Sequence, residues 1–309
     1  MLDAWREFWF APISPHIYAV LRIGLGLSGI VVLLTRADVA AFWDPAGFVP
    51  PGGTLGALKD WLREHNLGWW GGLALFTGSL GIFAAMTFGL FARVTVPLAF
   101  VAALTQTRWN HLPLTGADEV LRSLLFCLMW TDTGRVWSVD AWWRRTRGID
   151  PGPSTPASIA PLRLIRFQVA LVYLSAALFK MDSVVWRNGT AVYYVLNSNV
   201  HQRIPYFVPA HLEWLTTSAT YLTLIWELAF VPLVLVRRTR TLALALGVCI
   251  HLGMLVFMEV GPFHLVMLAS YPAFLAPATI GHVAARLRRR DRSVDASYGS
   301  VISASDPRR

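Results

Sequence analysis

The chain has 309 residues, of which 55% are hydrophobic and only 15% charged, with a mean hydropathy of +0.49. That composition excludes an ordinary soluble domain. A net charge of +9 would point to nucleic acid in a soluble protein. Here the Lys and Arg residues fall in short loops between helix-length apolar runs, so they read as orientation signals and contacts with anionic lipid headgroups, with no nucleic-acid partner. The expected class is an all-α polytopic transmembrane bundle of about eight spans, because hydrocarbon admits only helices and closed barrels.

In chain order, residues 1–14 read as an amphipathic interfacial lead-in carrying Trp5, Phe8, Trp9 and Phe10. No cleavable signal peptide is expected. The first span covers about 15–34 and holds Arg22 with Gly24, Gly26 and Gly29, a set suited to close helix packing. A turn-rich loop at 44–53 and an amphipathic piece near 55–67 precede a second span over about 69–91. The third span, about 94–107, is short. A polar loop at 108–119 leads to a fourth span ending near Thr131, then to a basic loop at 135–152. The fifth span opens at Pro161 and closes at the sequence Lys180-Met181-Asp182 before Trp186 and Gly189. A second large polar loop occupies 187–212. Spans six, seven and eight cover about 213–236, 241–258 and 262–278.

The basic clusters at 144–147, 237–240 and 286–292, with Arg93, all fall on the side of the N-terminus when about eight spans alternate. The expected location is therefore a bacterial-type inner (cell) membrane with both termini cytoplasmic. Residues 1–283 form one transmembrane domain, and 284–309 a basic, polar, disordered cytoplasmic tail.

Charges inside apolar runs are expensive and mark functional sites by default. Arg166, Tyr173 and Lys180 are seven apart and share one helical face. Lys180 has two readings: a functional amine, or a side chain snorkelling to the interface. Glu227 is expected to form a structural ion pair with Arg122 or Arg166. His251 reads from its spacing as a hydrogen-bonded core residue, and Cys127 and Cys249 as small core residues. Asn110-His111 reads by itself as a solvated loop capping the next helix. No metal-ligand spacing occurs, so no metal is expected.

Four segments in order resemble the membrane half of the vitamin K-dependent gamma-glutamyl carboxylases, also called the HTTM (horizontally transferred transmembrane) domain. They are Trp109-Asn110-His111; Val136-Trp137-Ser138-Val139-Asp140; Phe179-Lys180-Met181-Asp182 with Trp186 and Gly189; and His251 to Phe274 with Val266-Met267-Leu268-Ala269-Ser270. The resemblance spans about residues 15–277. It implies Lys180 as the base and His111 as a second catalytic group, with Trp109, Asn110, His251 and Tyr173 around a reduced quinone (vitamin K or menaquinol). Oxygen and carbon dioxide would be co-substrates, and a secreted peptide or protein the substrate. Such an enzyme would be a carbon–carbon lyase and epoxidase working at the extracytoplasmic face. The carboxylases carry a large soluble region after this half, expected to be lacking here. The spacing from Lys180 to Trp186 is one residue longer than in the family, and Phe179 replaces its second lysine. The alternative is a non-catalytic membrane factor for maturation, export or immunity of a small secreted peptide. A transporter is disfavoured, since no inverted repeat or broken helix pair is evident.

Overall fold

The computed structural model describes residues 2–149, 156–204, 208–277 and 279–281. The expected tail at 284–309, Gly152 of the basic loop and Ala278 at the end of the eighth run lie outside them.

Helix α1 (Leu2–Phe10) turns through strand β1 (Pro12–Ile13) into α2 (His16–Leu34). The central helix is α2: Ile17, Tyr18, Leu21 and Leu25 are completely buried. Gly26 and Gly29 explain how it gets there. An added Cβ at either would lie 2.2 Å from Thr87 or Phe83 of the facing helix, so only small residues permit this approach. Short helices α3 (Val39–Phe42) and α4 (Gly56–Glu64) follow, then α5 (Gly68–Phe88) and α6 (Ala92–Trp109). Between those two, Gly89 takes φ +69° and closes the end of α5. Helix α7 (Gly116–Leu128) starts at a capping box made by Thr115 and Asp118, and α8 (Val139–Thr146) is capped by Ser138.

Strand β2 (Ala157–Ser158) pairs antiparallel with β1 and feeds α9 (Ala160–Asp182), with Pro161 in its first turn as expected. Small helices α10 (Val184–Arg187) and α11 (Ala191–Leu196) lead to α12 (Glu213–Leu235), α13 (Arg237–Phe257) and α14 (Phe263–Ser270). A 3-10 turn at Tyr271–Phe274 continues α14.

Among the described residues, five helices are long and apolar enough to cross a membrane: those at 16–34, 68–88, 160–182, 210–235 and 237–257. This makes the protein multi-pass, but eight spans are not reached by that measure. The expected third, fourth and eighth segments are helical; α7 has only 13 residues and α14 only eight, and α6 carries Arg93, Gln106 and Arg108.

The loops gather at two ends. At one end, Asp140 of α8 accepts from the Phe91 and Ala92 amides at 2.7 Å each, capping α6. At the other, the Glu259 amide reaches the His201 carbonyl at 2.6 Å, and Gly261 packs against Thr115. The loops 108–118 and 259–261 and the described part of the polar loop around His201 thus share one end, hereafter the loop end, opposite α8.

Candidate functional site

Helices α9 and α12 run antiparallel, since Lys180 meets Glu227 while Tyr173 meets Phe230, ring centroids 4.2 Å apart. Side chains lean toward the N-terminus of their own helix. Lys180, in the last turn of α9, therefore points back into the bundle. Glu227, on the opposed helix, points up to meet it. The ammonium donates to Glu227 Oε1, and Nζ lies 5.0 Å from the Trp186 ring centroid. The Lys180 side chain is 24% exposed and that of Glu227 9%. This ammonium is paired within the bundle. The expected pairing of Glu227 with Arg122 or Arg166 is overturned. Arg122 pairs within α7 with Glu119. Arg166 donates to the Ala273 and Leu275 carbonyls at 2.6 and 3.2 Å. Both arginines find acceptors nearer their own helix ends, which leaves Glu227 to the lysine.

Two turns below Lys180 on the same face of α9, Tyr173 is 2% exposed. Its hydroxyl bonds His251 Nε2 of α13 at 2.8 Å and the Tyr271 hydroxyl at 2.7 Å. Trp226 and Phe230 wall this line. Gly247 makes the arrangement possible: a Cβ there would sit 2.0 Å from the Tyr271 hydroxyl. Among the described residues, Glu227 Oε2, His251 Nδ1 and His264 Nδ1 are buried without a hydrogen-bond partner. Buried polar atoms are rarely left so.

The Asn110-His111 loop stands at the same end as Lys180, but its side chains do different work. Trp109 is 1% exposed and donates through Nε1 to the Trp43 carbonyl at 2.8 Å. Asn110 donates to the Phe42 carbonyl at 3.0 Å and accepts from the Leu112 amide. Beside them, Arg36 makes two bonds to the Asp118 carboxylate, at 2.8 and 2.7 Å, with both side chains 5% exposed. Trp109 and Asn110 thus pin the loop to the segment after α2. His111 is exposed, and no described residue joins its ring to Lys180.

The Trp137-Ser138-Val139-Asp140 segment is a joint. Trp137 adopts φ +48°, its carbonyl accepts from the fully buried Arg22, Ser138 caps α8 and Asp140 caps α6. Of the two cysteines, Cys127 is buried as expected, whereas Cys249 is exposed on the bundle surface.

A family model described as the HTTM domain matches residues 10–278. The chain belongs to the HTTM domain family. The sporulation-delaying protein SdpB of Bacillus subtilis (strain 168) is 28% identical over 121 residues. That match covers 38% of this chain and 38% of SdpB, well under two thirds of either. No solved structure matches.

In this HTTM domain, then, the residues that tertiary contact adds are Glu227, Tyr271 and Gly247. Glu227 was visible as an ionisable group in an apolar run. The antiparallel packing of α9 on α12 brings it to Lys180, a partner that the sequence did not single out. Tyr271 and Gly247 carry no sequence signal of their own, since a hydroxyl and a glycine in an apolar run are common. Chemically, the site offers an amine–carboxylate pair above a Tyr–His–Tyr line. Both are sets of groups that can hold and exchange protons.

Proposed function

We propose that this HTTM-domain protein is a membrane acid–base enzyme acting on a reduced, lipid-soluble quinone. This follows the resemblance to the vitamin K-dependent gamma-glutamyl carboxylases. The observation that carries it is the Lys180–Glu227 pair set two turns from the Tyr173–His251–Tyr271 line. The residues fit such a headgroup. Glu227 Oε2, His251 Nδ1 and His264 Nδ1 are buried and unengaged among the described residues, and aromatic rings stand beside them. When bound, the reduced quinone with oxygen supplies a strong base for removing a proton from carbon, and carbon dioxide completes a carboxylation. Lys180 and Glu227 exchange a proton, leaving an uncharged amine that serves as a base. Tyr173, His251 and Tyr271 orient polar groups and hold a second proton path. The loop end then faces outward and both termini lie in the cytoplasm, in keeping with the basic clusters.

The test is menaquinol epoxidation by the full-length protein in proteoliposomes. Lys180→Ala is expected to lower the rate about 100-fold or more, and Glu227→Gln to lower it less. A wild-type rate in Lys180→Ala ends the enzymatic reading. A small secreted peptide retained equally by wild type and Lys180→Ala supports the maturation-factor reading instead.

A further inference from the structure

At the C-terminal end of α6 the protein encloses a small cavity of about 10 Å³. Arg36, Phe42, Trp43, Gln106, Asn110 and Pro113 stand around it. Most of that wall is buried: Arg36, Gln106 and Asn110 are each 5% exposed and Trp43 3%. The wall is also polar. The Phe42, Trp43 and Pro113 carbonyls accept from Asn110, Trp109 and Arg36 at 3.0, 2.8 and 2.9 Å. A carbonyl oxygen has two lone pairs, so each can take another donor.

Gln106 is the unsettled member of this cluster. It lies one turn before Asn110, whose amide its backbone carbonyl accepts at 3.0 Å. Its side-chain nitrogen Nε2 is buried and has no hydrogen-bond partner among the described residues. A buried amide left unpaired is costly, and such groups are rarely tolerated. Gln106 therefore needs a small partner in the cavity that its own chain does not supply.

Size and charge choose that partner. The space is about that of one water-sized sphere, so an organic group is too large. A metal cation would need a carboxylate, but both oxygens of Asp118 are taken by Arg36, whose guanidinium would repel it. An anion would face carbonyl oxygens. Water both donates and accepts, so it satisfies the Gln106 carboxamide whichever end faces inward. Dry cavities are apolar, whereas polar ones with several partners hold water. We propose that one ordered water occupies this cavity, bonded to the Gln106 side-chain amide and donating to two of the Phe42, Trp43 and Pro113 carbonyls. It fastens α6 to the segment after α2 and to the loop at 108–115, adding to the direct ties of Trp109 and Asn110. This assignment is independent of the chemistry at Lys180.

X-ray radiolytic footprinting of the full-length protein in nanodiscs tests this. The beam makes hydroxyl radicals from bound water in place, and these attack the side chains beside it. Trp43 and Trp109, though only 3% and 1% exposed, are expected to be oxidised from the earliest exposures. Gln106→Leu removes the amide at nearly constant volume and should slow both about threefold or more. Trp70, 63% exposed, should be oxidised at the same rate in both proteins. A density map of wild type fine enough to show waters should hold a single round peak within hydrogen-bond reach of the Gln106 side chain, lost in Gln106→Leu. Oxidation of Trp43 and Trp109 unchanged by Gln106→Leu overturns the proposal, as does a fall that Trp70 shares equally. So does a wild-type map with no peak there, or with density larger than one atom.

Discussion

The Lys180 ammonium donates to the Glu227 carboxylate across the α9–α12 interface, although 47 residues separate them in the chain. Two charges that would each be costly alone in an apolar bundle are matched, and the match sets the register of the two helices.

Breaking this pair from one side should be worse than removing it. Lys180→Met or Glu227→Leu is expected to cost about 3 kcal/mol, because the partner is left charged and unpaired, while the double variant costs clearly less than the sum. Reversible unfolding in detergent across the double-mutant cycle reads this. Strict additivity would mean that the two groups do not interact energetically.

Asp118 carries two roles, accepting twice from Arg36 and closing the capping box with Thr115. Asp118→Asn should cost roughly 3–5 kcal/mol, since a fully buried guanidinium loses its counter-charge. Asp38→Asn, at the exposed cap of α3, should cost under about 1 kcal/mol. Comparable losses from the two would contradict the buried-pair account.

Gly247→Ala places a methyl 2.0 Å from the Tyr271 hydroxyl. Overpacking of this kind should cost about 1–3 kcal/mol and displace Tyr271 from Tyr173. Gly253→Ala, six residues along the same helix with open space around it, should be neutral or gain up to about 1 kcal/mol. Thermal midpoints of the two variants decide the matter.

Lys59 lies outside the spans, donating to the Pro50 and Gly52 carbonyls at 3.0 and 3.3 Å with its ammonium 5.8 Å from the Trp109 ring centroid. Burial pushes its pKa below the ordinary 10.5. The unfolded chain then binds more protons than the folded one between the folded value and 10.5, so stability rises with pH across that window. The stability of wild type relative to Lys59→Met should increase as pH climbs toward 10.5. A difference that falls with pH would reverse the sign of the burial effect.

Much of the architecture was legible because it rests on local patterns. Apolar run length gave the helices, and Pro161 and Gly189 marked ends that the structure keeps. Gly26 and Gly29 announced a close helix approach that proved to be α2 against α5. The site was legible only in part. Spacing put Tyr173 and Lys180 on one face of α9, and that face does carry the polar groups. Partner choice was not legible: Glu227 was assigned to an arginine, and nothing in the sequence pointed from Trp109 and Asn110 to the Trp43 and Phe42 carbonyls they engage.

Periodicity and composition by themselves determined that this chain is a multi-pass helical bundle, because hydrocarbon leaves the backbone no alternative and each helix signals itself within its own residues. The tertiary structure alone decided which buried charge meets which, that His251 shares a hydroxyl with Tyr173, and that Gly247 makes room for Tyr271. Those are contacts between helices 20 to 100 residues apart, settled by crossing geometry and side-chain reach, which no local pattern encodes.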